Sequence, residues 1–445
     1  MPAPREAAIE NRLWSLDEAM PRSELRALQA RRLRETVERA ARVPHYRDAL
    51  LKAGVTPGDI RSPGDVRRLP FTTKEDLRAN YPFGMLAVPR SDLARVHCSS
   101  GTTGRPTVVG YTAEDLETWA NLCARFLVAG GLKPEHMVHV AFGYGLFTGG
   151  FGLHYGIEKV GASVVPASSG NTERQIMLIR DFQSDALICT PSYALNIAEV
   201  AREGGLDPRQ LSLKIGHFGA EPWTEEMRNE IEMQMGLYAF NNYGLSEVMG
   251  PGISGECFRR DGMHVQEDHF LVECLDPETL EPVSPGSNGE LVITNLTKQA
   301  MPVLRYRTRD ICALDDSPCA CGRTGIRMGR IFGRTDDMLI IRGVNVFPSQ
   351  VEEALLKVEG AAPHYMIEVD RPGALDEMTV RVEMKAAQFS DMISQVQALR
   401  ERIQRAIYGI TGLHANVELV KPQTLERFTG KARHVNDKRK DKRRP

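Results

Sequence analysis

From residue 93 onward, short apolar runs alternate with polar or helical stretches, and this alternation constrains the fold more than any other feature of the chain. Residues 137–142, 186–189 and 214–218 are such runs. The pattern predicts an α/β class of layered architecture with mostly parallel strands. Ligands in such sheets sit at the carboxyl ends of the strands. Three segments follow predicted strands and are expected to converge there: residues 99–107, 219–222 and 241–247.

The first segment is Ser99-Ser100-Gly101-Thr102-Thr103-Gly104-Arg105-Pro106-Thr107, after a predicted strand at 93–96. Its two glycines let the backbone turn tightly and approach a ligand closely. Its hydroxyls and free backbone N–H groups form a cradle for phosphate oxygens. No Lys follows the second glycine, so it is not a Walker A loop. A polar surface turn is the competing reading.

The chain has 445 residues, more than one domain usually holds. Hydrophobic and charged contents of 42% and 26% describe an ordinary soluble globular protein, and a net charge of -2 argues against a general nucleic-acid binder. No apolar run reaches the length of a membrane span, and the first residues lack the apolar core of a signal peptide. A cytoplasmic location is expected. The eight cysteines do not suggest a disulfide framework in so long a chain.

Leu25, Leu28, Leu33, Val37 and Ala41 recur at near-helical spacing among arginines, predicting an amphipathic surface helix over 23–42. Residues 253–330 hold short β-like runs, such as 270–274 and 289–294, and read as a β subdomain of a large N-terminal domain. A boundary is placed near Asp336, giving domains 1–335 and 336–445. In the second, residues 338–341, 379–384 and 416–419 read as strands, and 349–358 and 393–407 as helices: a small, mobile α+β lid. The Lys- and Arg-rich tail, 436–445, is expected to be disordered and solvated.

Four residues form a candidate Cys₃His set: Cys257, His264, Cys319 and Cys321. Three thiolates and an imidazole suit tetrahedral zinc, and four protein ligands would make it structural. Unrelated surface residues are the alternative. Cys98, Cys123, Cys189, Cys274 and Cys312 read as core thiols. Residues 143–150 place glycines around Tyr144 and Phe147, a slot suited to an aryl ring, with Gly149 in its wall. Ala220, Met249 and Pro251 are further lining or ordinary core. The GxGxxxG pattern here lacks the Rossmann spacing, so a dinucleotide site is not expected.

Further segments follow in order: Tyr306-Arg307-Thr308-Arg309-Asp310, Gly333-Arg334-Thr335-Asp336-Asp337 and Thr429-Gly430-Lys431. With Gly219-Ala220-Glu221-Pro222 and Asn241-Asn242-Tyr243-Gly244-Leu245-Ser246-Glu247, the order and spacing resemble the acyl-adenylate-forming enzymes over about residues 43–435. The likeness is greatest to the branch acting on aryl acetic acids, in SSGTTGRPTVVGYT, YGLFTGG, GAEPWT, YGLSEVMGPG and GRTDDMLIIRGVNVFPSQVE.

The resemblance implies ATP-dependent ligation of an aryl acetic acid, phenylacetate foremost, to coenzyme A through an acyl adenylate. Ligation of benzoate or indoleacetate is the alternative within that chemistry, and a non-catalytic acyl-adenylate sensor is the alternative outside it. It implies that Ser99 to Gly104 hold the β and γ phosphates and that Glu247 holds Mg²⁺. Gly219, Ala220, Glu221, Asn242, Gly244 and Ser246 join the nucleotide site. Tyr243 packs on adenine, Asp310 binds the ribose hydroxyls, and Arg334 reaches ribose or phosphate. Lys431 is the catalytic cation, Asp336 the hinge, and Gly343 lines the coenzyme A passage. Read as residues alone, Asp310 could pair with Arg307 or Arg309, Tyr243 could be core, and Lys431 one more tail lysine. Many relatives have Lys where Thr107 stands; Arg105 is placed to compensate. Relatives also suggest a homodimer.

Overall fold

The computed structural model describes residues 9–99, 106–342, 344–372, 375–385, 393–428 and 432–439. Among them, a nine-stranded sheet runs Leu314–Asp315, Arg327–Met328, Met263–Val265, Gly250–Glu256, Tyr238–Leu245, Ile215–Phe218, Ala186–Cys189, Met137–Val140 and Ser163–Val165. The last five are parallel, and the first five pair antiparallel. Ala186–Cys189 and Ile215–Phe218 are buried along their whole length, which is why they read as unbroken apolar runs rather than alternating ones.

Helices cover the sheet in two layers. Ala113–Ala129 and Thr148–Val160 share a core with one side through Trp119, Phe126, Leu153 and Ile157. Thr172–Asp181, Pro191–Glu203 and Glu225–Met235 share a second core through Ile179, Tyr193, Ile197 and Ile231. The helix starts are set locally: Thr112, Thr190 and Thr224 each accept a backbone N–H of the first turn, and Pro191 stands where no intrahelical donor is needed.

The stretch 253–330 divides its strands between two sheets. Its first and last strands extend the nine-stranded sheet. Phe270–Leu275, Gly289–Asn295 and Tyr306–Cys312 join Gly333–Arg334 in an antiparallel sheet of four. That final pairing sets Asp310 opposite Arg334.

A separate apolar core begins at Leu339. It gathers the helices Pro348–Leu356 and Ile393–Thr411 on a four-stranded sheet ordered Asn416–Val420, Glu377–Met384, Ala361–Asp370, Val435–Asp437. Two elements depart from what the sequence predicts. Ala361–Asp370 is an inner strand although Pro363 and His364 interrupt its apolar run. Residues 436–439 of the tail are ordered: Val435–Asp437 pairs with Ala361–Asp370, Lys438 bonds Glu368, and Arg439 bonds Asp376 at 2.8 Å. Their charges meet carboxylates of the small sheet, so they are not left to solvent.

The two parts meet along charged contacts. Arg427 lies between Glu199 at 2.9 Å and Glu383 at 2.8 Å, and His364 reaches Glu199 at 3.3 Å. Among the described residues, no helix is long and apolar enough to cross a membrane.

The large part also holds a buried ion pair. Arg125 donates to both oxygens of Asp268 at 2.8 and 2.9 Å, and each side chain is 6% exposed. Breaking such a pair leaves a buried charge uncompensated, at a cost of about 3–5 kcal/mol. Asp268→Ala is expected to lower the apparent Tm by about 5 °C or more, measured by thermal denaturation; an unchanged Tm would contradict it.

Candidate active site

Four of the segments singled out in the sequence, 219–222, 241–247, 306–310 and 333–337, meet at strand ends near the seam between the two parts. Gly219 directly follows Ile215–Phe218, and a Cβ there would stand 2.6 Å from the carbonyl oxygen of Asn242. Only glycine permits that approach. Ala220 then takes a φ of 71°, a strained conformation for a residue with a side chain. The Asn242 amide in turn donates to the Phe218 carbonyl at 2.9 Å, tying the two segments together.

Tyr243 is buried, and its hydroxyl donates to Asp310 at 2.6 Å. Arg334 donates to the other Asp310 oxygen at 2.9 Å and to Asp336 at 2.9 and 3.0 Å. Burial works to raise the Asp336 carboxyl, but the Arg334 hydrogen bonds and charge outweigh it and hold it below the ordinary range. Asp310 therefore pairs with Arg334 rather than only with the neighbouring Arg307 and Arg309, which lie on Glu290 at 2.6 and 3.8 Å.

Glu247 is buried and faces Lys74 at 3.2 Å. A buried carboxylate beside a partly exposed lysine suits a divalent cation, which takes one or two carboxylates together with phosphate oxygens. Lys74 was not singled out in the sequence, where only a helix-capping pattern marks it. Lys298 was missed too. It is fully buried, its ammonium lies 3.9 Å above the Tyr111 ring, and burial pushes it down to about 7.

The glycine-flanked segment 143–150 is bonded to the strand Arg95–Cys98, just ahead of the first segment, and to segment 241–247. The Leu146 carbonyl accepts the Cys98 N–H at 2.8 Å, and the Thr148 and Ser246 hydroxyls are 2.7 Å apart. Tyr144 meets Phe151 edge-on with centroids 5.3 Å apart and bonds His154 at 3.2 Å. A Cβ on Gly149 would lie 2.6 Å from the Phe147 ring. The carbonyls of Met249 and Pro251 accept Tyr111 and Trp119, each at 2.8 Å, which fixes the wall on that side. Ser99 and Thr107 close the base of the phosphate-type loop, with the Ser99 N–H on the Thr107 carbonyl at 2.9 Å. Ser100, Gly101, Thr102, Thr103, Gly104, Gly343 and Lys431 lie outside the described residues.

Glu221 takes a part at the seam. One oxygen accepts the Ser192 N–H at 2.8 Å, at the start of Pro191–Glu203, and the other accepts the Ala432 N–H at 3.1 Å.

Away from the seam, the ligand atoms of Cys257, His264, Cys319 and Cys321 all lie within 4.8 Å of one another. Cys257 and Cys319 sulfurs are 3.9 Å apart, and Cys321 Sγ is 3.3 Å from His264 Nε2. Tetrahedral bonds of about 2.3 Å to sulfur put ligands about 3.8 Å apart, near the 3.9 and 3.3 Å of these two pairs. Of the cysteines expected in the core, Cys123, Cys189 and Cys312 are buried, while Cys98 and Cys274 are half-buried.

Fold and seam together are those of the AMP-binding enzymes: residues 21–299 match the AMP-binding enzyme model, and 343–439 match the AMP-binding enzyme C-terminal domain. The chain is 51% identical over 438 residues to the phenylacetate–coenzyme A ligase of Thermus thermophilus, covering 95% of this chain and 98% of that one. It belongs to the phenylacetate–coenzyme A ligase family. Among solved structures, 2-hydroxyisobutyryl-CoA ligase in the postadenylation state with 2-HIB-AMP superposes with a TM-score of 0.92 at 31% identity, covering 98% of this chain and 94% of that one. The same ligase in its thioesterification state scores 0.71 at 32% identity, covering 95% and 91%.

Arg334 joins Asp310 in the large part to Asp336 at the junction. Arg334→Met removes those bonds together, and protease cleavage near Asp336 is expected to speed several-fold, followed by gel electrophoresis. Unchanged cleavage would show that the pairing does not hold the junction.

Proposed function

We propose that this chain ligates phenylacetate to coenzyme A at the expense of ATP, giving the thioester, AMP and pyrophosphate. The observation that carries the reading is the bonding of the glycine-flanked segment 143–150 to the strand end at Cys98, just before the phosphate-type loop, through Leu146, and to Ser246 through Thr148. A ring seated in that slot would present its carboxylate to a nucleotide held beside it. Proximity of this kind turns a bimolecular attack into an oriented one.

In the first step a carboxylate oxygen attacks the α-phosphorus and pyrophosphate leaves. Both reactants are anionic, so charge must be neutralised where it develops. Residues Ser99 to Gly104 would hold the β and γ phosphates, and Glu247 would hold Mg²⁺, which supplies positive charge to those oxygens. The Tyr243 ring and the segment from Gly219 to Glu221 would flank the adenine, with Asn242, Gly244 and Ser246. Asp310 would take the ribose hydroxyls and Arg334 ribose or phosphate. Lys431 would steady the attacking and bridging oxygens. In the second step the thiol attacks the acyl carbon, loses its proton and expels AMP. Domains 1–335 and 336–445 would turn about Asp336 between the steps, bringing Gly343 to the passage for coenzyme A.

Gly149→Ala would push the Phe147 ring aside. It is expected to raise KM for phenylacetate about tenfold with little change in KM for ATP, measured by pyrophosphate release. More efficient activation of octanoate, or of benzoate or indoleacetate, by kcat/KM would replace phenylacetate as the substrate.

We also propose that Cys257, His264, Cys319 and Cys321 hold a structural zinc ion, supported by their mutual spacing. It would clip the turn after Gly250–Glu256 to the turn at 319–322. Metal analysis is expected to find about one zinc per chain. Cys321→Ser should lower the Tm by more than it changes kcat. Well under one zinc in protein purified without chelator would refute the site.

A further inference from the structure

The two oxygens of Glu221 are divided between the two parts of the molecule. One holds the N–H of Ser192 at the start of Pro191–Glu203; the other holds the N–H of Ala432, the residue after Lys431. A carboxylate that accepts a donor from each side is a two-armed fastener. Neither an amide nor a shorter acid can reproduce it at the same separation.

Behind it lies a second acid. Glu352, on Pro348–Leu356, is 4% exposed, and its Oε1 has no hydrogen-bond partner among the described residues. Its other oxygen lies 3.4 Å from the Tyr365 hydroxyl on Ala361–Asp370. The charged groups facing it are Glu221, Glu226 on Glu225–Met235, and Arg330 ahead of Gly333–Arg334. Burial first, and then the charge of Glu221, push the Glu352 carboxyl up to about 8, against the opposing effect of Tyr365 and Arg330. A buried ionised carboxylate with no cation on it would be strongly disfavoured, so at neutral pH Glu352 keeps its proton in this arrangement.

We propose that Glu221 is a positioning residue for the adenylating half-reaction, gripping the chain beside Lys431 onto the large domain, with Glu352 as the uncharged acid that lets the grip form. The inference rests on the proposed role of Lys431 in adenylation. Glu352 binds its proton more tightly in this arrangement than in water, so the arrangement is favoured at low pH and loses that support as pH rises from the ordinary carboxylate range to about 8. Above that, an ionised Glu352 and Glu221 repel across the seam.

The test measures both half-reactions over pH from about 6 to 10, in wild type, Glu221→Gln, Glu352→Gln and Lys431→Ala. The halves are pyrophosphate exchange with phenylacetate, and thioester formation from supplied phenylacetyl adenylate. Glu221→Gln is expected to slow exchange about tenfold or more and thioester formation by a clearly smaller factor, since the adenine contact serves both halves and the fastener only one. Glu352→Gln is expected to flatten the fall of exchange as pH rises to about 8. Equal slowing of both halves by Glu221→Gln, or no slowing of either, would overturn the proposal, as would a Glu352→Gln profile that tracks wild type. Slow exchange in Lys431→Ala with normal exchange in Glu221→Gln would overturn the grip alone. Normal exchange in Lys431→Ala would overturn the role of Lys431 and the grip with it.

Discussion

A single guanidinium, Arg427, stands between Glu199 of the large part and Glu383 of the small one, and the seam depends on it. Each carboxylate receives two hydrogen bonds from it. Burial opposes the charge on Glu383, yet the Arg427 bonds outweigh it and hold the carboxyl below its usual range. An Arg fork matches a carboxylate in two places at once, so the contact fixes orientation as well as distance. Both glutamates lie on regular elements, Pro191–Glu203 and Glu377–Met384, whose own cores are independent. The pairing therefore ties a helix of the large part to a strand of the small one, beside Leu356, which packs on the second apolar core of the large part.

Within the large part, precision comes from backbone contacts. Gly219 lies against Asn242, Leu146 is bonded to Cys98, and Met249 and Pro251 have their carbonyls held by Tyr111 and Trp119. Such ties position loops on a scaffold of buried strands. The acidic groups nearby are each matched: Asp310 by Tyr243 and Arg334, Glu247 by Lys74, and Asp115 by the N–H groups of Gln299 and Ala300. Glu352 differs, because burial leaves one of its oxygens without a partner among the described residues.

The sequence by itself determined the layered α/β class. The buried strands at 186–189 and 215–218 carry continuous apolar runs, and the helices between them carry their own caps. The glycine- and hydroxyl-bearing segments and the Cys₃His set were also legible, since each rests on side-chain chemistry and order along the chain. Only the tertiary structure decided which groups face one another. Lys74 meets Glu247 from a helix far upstream, and Glu221 reaches a backbone N–H more than two hundred residues away. The central strand Ala361–Asp370 and the ordered Val435–Asp437 emerge for the same reason, because their pairing partners are supplied by the fold. Periodicity records which face of an element is buried; it holds no information on what lies across the interface. That depends on the packing of whole elements, and so does the pairing of charges along the seam.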